Sequence, residues 1–346
     1  MRILSAIDAM GELKMPKMPI HHNQLSVDAK STFKKRAWFS LLIVAIVVPC
    51  AILGGWFYFG LVAFIVGFST YEVAKAPSHK FSWLVWLITF ICMYALVFWI
   101  MIKNNSDNWE YFDVNKSFLG FSISPIALAV MAGAYFLIVV IKDDFSVSDA
   151  FYLIAMSLLL SLGFQAILSL RYYAFHFFPA RYLGFDINEP LFKYFQSTFL
   201  LFYLLIAIAF NDVGAYLIGL LFGKHKLNPR ISPKKTWEGF VGGIIFSTLM
   251  SMMFALIVAH FNFPMLPVFT IDKWYWVLLC SVILPFVGNL GDFTFSAIKR
   301  HFGIKDYSKL LGPHGGILDR VDSLIFGSMA LSILVIFITN GWNFFA

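Results

Sequence analysis

The chain has 346 residues, of which 60% are hydrophobic, 18% aromatic and only 13% charged, with a formal net charge of +7. Soluble domains carry roughly 25% charged residues, so the composition excludes a soluble enzyme, and the excess of Lys and Arg reads as a topology signal and not as a nucleic-acid surface. Cys50, Cys92 and Cys280 stand far apart inside apolar runs, so neither a disulfide framework nor a zinc site is indicated.

Residues 1–37, with Pro16, Pro19 and the run Lys34-Lys35-Arg36, are too polar and too long to be a cleaved leader and read as a basic cytoplasmic tail. Apolar runs follow at 38–53, 56–73, 81–102, 121–141, 151–169, 192–210, 237–259, 274–290 and 321–339. Each can span a bilayer once tilt and flanking residues are counted. The expected class is all-α, a polytopic integral membrane bundle of about nine transmembrane helices. A set of about five in 38–191 precedes a catalytic transmembrane region in 192–346. Pro49 and Gly54-Gly55 punctuate the first two runs, so two spans or one broken hairpin both fit. With the N-terminus inside, the count places the basic segments 211–236 and 291–320 on the cytoplasmic side, as the positive-inside rule requires. The 170–191 connection, with Arg171 and Arg181, falls outside and fits that rule poorly; a re-entrant or interfacial piece would account for it.

Asp212, in Asn211-Asp212-Val213-Gly214-Ala215-Tyr216, continues an apolar run into an acid, which is costly at membrane depth and marks a cation partner or a helix-end carboxylate. Gly219 to Lys224 resembles a P-loop too weakly to count, with one residue too few between its glycines. Ser232-Pro233-Lys234-Lys235-Thr236-Trp237-Glu238-Gly239 places two lysines at a helix start, where Ser232 or Thr236 can cap and an anion can bind. Gly239 and Gly243 have helix-packing spacing.

The densest chemistry lies between Ser296 and Asp322. Asp292 is followed at helical spacing by Ser296, Lys299 and Arg300; then come Lys305, His314-Gly315-Gly316 and Asp319-Arg320-Val321-Asp322. Asp319 and Asp322 share a helix face, and with Asp292 they compose a hard oxygen set suited to Mg²⁺. Clustered cations beside it suit a polyphosphate. A salt-bridge network closing a loop is the plainer alternative.

The run Ser296-x-Ile298-Lys299-Arg300-x4-Lys305-Asp306-x-Ser308-x2-Leu311-Gly312-x-His314-Gly315-Gly316-Ile317-x-Asp319-Arg320-Val321-Asp322 resembles the signature of the phosphatidate cytidylyltransferases, or CDP-diacylglycerol synthases. The resemblance extends upstream through Gly291-Asp292 and the 211–243 region, while the first five runs match only in being hydrophobic. Phe295 stands where many members carry Glu, and Gly312-Pro313 where they read Pro-Gly.

The resemblance implies CTP plus phosphatidic acid giving CDP-diacylglycerol and pyrophosphate, at a bacterial inner membrane with the site facing the cytoplasm. It implies Mg²⁺, with K⁺ as a second cation, on Asp292, Asp319 and Asp322, and Asp212 as a fourth ligand. Ser232, Lys234, Lys235, Lys299, Arg300, Lys305 and Arg320 would hold phosphates, Gly315-Gly316 would let backbone amides approach them, and His314 would bond a phosphate or orient a metal-bound carboxylate. The oligomeric state stays open, with a homodimer one option. Two other functions remain: a CTP-dependent lipid or polyprenol kinase, which would transfer the γ-phosphate, and an ion-coupled transporter. Charges gathered at one membrane face and the lack of an evident inverted repeat weigh against transport.

Overall fold

The computed structural model describes residues 27–77, 80–104, 124–172, 190–266, 268–312 and 315–340. Among them are nine helices: α1 (Val27–Leu53), α2 (Gly55–Lys75), α3 (Trp83–Asn104), α4 (Pro125–Ile141), α5 (Val147–Tyr172), α6 (Pro190–Phe222), α7 (Trp237–His260), α8 (Trp274–His301) and α9 (Leu318–Asn340). Two short strands, β1 (Lys226–Asn228) and β2 (Ser232–Thr236), make an antiparallel hairpin between α6 and α7. Seven helices are long and apolar enough to cross a membrane; Leu41–Leu53 and Pro125–Ile141 are shorter apolar segments. The chain is an integral membrane helical bundle.

Two sequence boundaries shift. Helix α1 begins at Val27, so the basic run Lys34–Arg36 lies on the helix that leads into the apolar segment Leu41–Leu53. Helix α6 continues to Phe222, so Asp212 sits inside a helix and not at its end. The break after α1 is made by glycine: Gly54 and Gly55 have φ of 57° and 45°, which lets the chain leave one helix and start the next at once. The 170–191 connection lies largely outside the described residues, but Arg171 does not. It is buried in the last turn of α5 and donates to the carbonyls of Ala51 at 2.9 Å and Ile52 at 3.5 Å, where α1 ends. Tyr172 donates to the Gly55 carbonyl at 2.7 Å.

Small residues let α6 and α7 approach closely. A Cβ on Gly239 would lie 2.7 Å from the Ala215 carbonyl oxygen, and one on Gly243 would lie 2.7 Å from that of Asn211, so both glycines serve helix packing as their spacing predicts. Pro285 has no N–H to give the turn before it, and the freed Ser281 carbonyl accepts from Thr248 Oγ1 of α7 at 3.1 Å. Helix α9 packs on α8 and α5, where Ser328 donates to the Gly163 carbonyl at 3.1 Å. One buried apolar cluster thus runs from Ala51 to Ile336 and unites both halves of the chain. The three cysteines are free.

Candidate active site

The functional side chains converge on one end of the bundle, where α2 and α8 end and α6, α7 and α9 contribute Asp212, Thr236–Gly239 and Asp319–Asp322. Thr236, and not Ser232, caps α7: its hydroxyl accepts from the Gly239 amide at 3.1 Å. The cap fixes the end of β2, from which Lys235 reaches Asp292 of α8. A cavity of about 500 Å³ opens there, lined among others by Asp212, Tyr216, Lys234, Lys235, Asn289 and Asp292. Asn289, in its wall, donates to Asn211 Oδ1 of α6 at 3.1 Å. Lys235 is paired with Asp292 and its ammonium lies 4.6 Å from the Phe293 ring centroid. Ser296 donates to the other Asp292 oxygen at 3.3 Å.

A second pair lies deeper. Lys299 donates to Asp319 Oδ1 at 2.7 Å, with both side chains nearly inaccessible, and Asp319 Oδ2 accepts from the amides of Tyr307 and Gly316, each at 2.9 Å. Desolvation, reinforced by Tyr152 and the carboxylates of Asp319, Asp322 and Glu72, raises the Tyr307 phenol well above its usual range. It therefore remains a neutral donor, here to the Phe295 carbonyl at 3.4 Å. Phe295 itself is fully buried between the rings of Tyr307 and Phe326 and serves packing.

These contacts redistribute the roles expected from the sequence. Lys299 and Arg300 were expected among the phosphate-holding cations, but Lys299 is committed to Asp319, and Arg300 donates to the carbonyls of Ile231 at 3.3 Å and Ile304 at 2.9 Å. Arg300 thereby clamps the hairpin tip to the end of α8. Gly316 gives its amide to Asp319, and Gly315, at φ 80°, gives its amide to the Gly312 carbonyl at 3.4 Å. Ser232 pairs with Asn228 in the hairpin, Lys305 is exposed on the loop after α8, and His314 lies outside the described residues.

The expected ligand set also divides. Among the described residues no three of His, Cys, Asp and Glu are close enough to grip one ion, and Asp319 spends both oxygens on Lys299 and two amides. Asp212, Asp292 and Asp322 instead lie within electrostatic reach of one another, with Lys235, Lys299 and Arg320 as the intervening cations. Their oxygen-only chemistry is of the kind a hard divalent ion takes, although as placed the three do not close on a single ion; Asp319 is turned to Lys299 and the loop amides.

Sequence reasoning missed Glu72. This fully buried carboxylate at the end of α2 accepts from Ser308 Oγ at 2.5 Å and the Ile317 amide at 2.9 Å through Oε1, and from the Leu318 amide at 2.7 Å through Oε2. Its signal was available: an acid inside an apolar span, the same cue that drew attention to Asp212.

A membrane bundle that gathers acids, bases and a cavity at one end defines an integral membrane enzyme built to handle phosphates. A model of the cytidylyltransferase family matches residues 34–338. The phosphatidate cytidylyltransferase of Staphylococcus epidermidis is 32% identical over 305 residues, covering 88% of this chain and 99% of that protein. Those of Staphylococcus saprophyticus and Staphylococcus aureus are 33% and 32% identical, each covering 68% of this chain and 75% of the relative. The chain belongs to the cytidylyltransferase family and is a nucleotidyltransferase.

Proposed function

We propose that this enzyme joins CTP to phosphatidic acid, giving CDP-diacylglycerol and pyrophosphate. The observation that carries the reading is the Lys235–Asp292 pair at the edge of a cavity whose wall includes Tyr216 and Leu220, both well exposed on the bundle surface. A charged head group can enter there while acyl chains stay among the helices.

In the reaction an oxygen of the lipid phosphate attacks the α-phosphorus of CTP, and the bond to the oxygen bridging the β-phosphorus breaks. Two polyanions must meet, so positioning and electrostatics dominate the barrier. Lys234, Lys235 and Arg320 supply fixed positive charge, and Lys235 can exchange Asp292 for a phosphate oxygen because both partners are half-buried side chains at the cavity. No general base is required, since a phosphate monoester is largely ionised near pH 7. Asp212, Asp292 and Asp322 would hold Mg²⁺, with K⁺ as a companion, and the ions would neutralise phosphate charge. The cavity faces the cytoplasm of a bacterial plasma membrane, a reading supported by Lys224, Lys226 and Arg230 at the same end of the bundle.

The test is which bond breaks. Purified protein given phosphatidic acid, Mg²⁺ and CTP labelled at the α-phosphorus should produce labelled lipid, with one pyrophosphate released per lipid labelled. Label passing to lipid from the γ-phosphate would establish a kinase, and no labelled lipid across phosphate and polyprenol acceptors would remove the enzyme reading.

A further inference from the structure

Glu72 belongs to the half of the chain that carries none of the signature, yet it holds the signature loop. Its two oxygens accept from three donors: the Ser308 hydroxyl and the amides that begin α9. Ser308 Oγ also accepts from the Leu310 amide at 3.2 Å, so the contact organises the turn after Tyr307. Gly316 has no room for a side chain, because a Cβ there would collide with the Glu72 carboxylate. From the other side Asp319 takes the amides of Tyr307 and Gly316. Two carboxylates, one from α2 and one from α9, thus pin the ends of the 307–318 segment.

We propose that Glu72 is a positioning residue for cytidylyl transfer, fixing the start of α9 so that Arg320 and Asp322 face Asp292 and Asp212. A negative charge already fills the N-terminus of α9, where exposed amides and the helix dipole would otherwise attract a phosphate. The substrate phosphates are therefore left to the side chains of the cavity. Glu72 touches no reacting atom; it acts through the register of α9.

The inference rests on the cytidylyl-transfer reading, and wild-type turnover in the α-label assay tests that reading separately. Glu72→Gln keeps volume but must turn an N–H toward one of the amide donors. We expect kcat to fall about 10- to 100-fold, with KM for CTP and phosphatidic acid within about twofold and an unchanged detergent gel-filtration profile. Ser308→Ala leaves both α9 amides bonded and should lower kcat about 3- to 10-fold. In the double variant the Ser308 effect should largely vanish, because both substitutions break one linkage. A folded Glu72→Gln enzyme with near-normal kcat, or effects that multiply in the double variant, would reduce Glu72 to a stabilising residue. If Glu72→Gln does not fold, Ser308→Ala decides alone, and an unchanged kcat overturns the proposal.

Discussion

The two ends of the bundle each bury a charge against the end of a helix, and they do so with opposite signs. At one end Arg171 donates to the last carbonyls of α1; at the other Glu72 accepts from the first amides of α9. Each complements the dipole of the helix that it caps. The difference lies beside them. Arg171 also bonds Ser197 at 3.1 Å, whereas the α9 start that Glu72 holds leads into Arg320 and Asp322, which lie within electrostatic reach of Asp212 and of the Lys235–Asp292 pair at a cavity. Burial of a charge therefore does not mark chemistry here. Side chains paired with other side chains at an accessible edge can exchange partners for a substrate; charges spent on backbone cannot.

Substitutions at the two ends break this contrast in different observables. Asp292→Asn should cost at least about 100-fold in turnover, measured with α-labelled CTP at limiting Mg²⁺, while gel filtration shows intact protein. Lys299→Met leaves Asp319 buried and unpaired, so thermal unfolding in detergent should reveal a loss of about 3–5 kcal/mol. Adding Asp319→Asn should restore part of that loss, since the stranded charge is gone. Arg171→Ala should lower stability by roughly 1–3 kcal/mol for the orphaned carbonyls, with the folded fraction retaining near-normal kcat. The smallest effect is expected of Thr236→Ala, where the lost cap costs about 1 kcal/mol and proteolysis near 223–236 should quicken slightly.

Much of this molecule is legible before folding. Apolar run lengths give the helices, and the stretch from Asp292 to Asp322 gives the site's neighbourhood, because residues close in sequence share helix faces. Pairing is not legible in that way. Lys299 and Arg300 are adjacent and chemically alike, yet α8 points one at Asp319 and the other at carbonyls of the hairpin and loop. Glu72 and Arg171 were hidden for a related reason: their partners are distant backbone groups, which carry no residue identity to read. The misfit of Arg171 with the positive-inside rule was the one trace of its role, and the apolar context of Glu72 was the trace of the other.

The Glu72 contact also constrains how the protein is made. Its partner Leu318 lies 246 residues further along the chain. At synthesis rates of about 5–20 residues per second, that separation is roughly 10–50 s. For that interval α2 carries a carboxyl whose native donors, the Ser308 hydroxyl and the Ile317 and Leu318 amides, have not yet been made. Synthesis stopped before α9 should therefore leave α2 weakly committed to the bilayer, a state that a membrane protease or chaperone can distinguish from the finished enzyme.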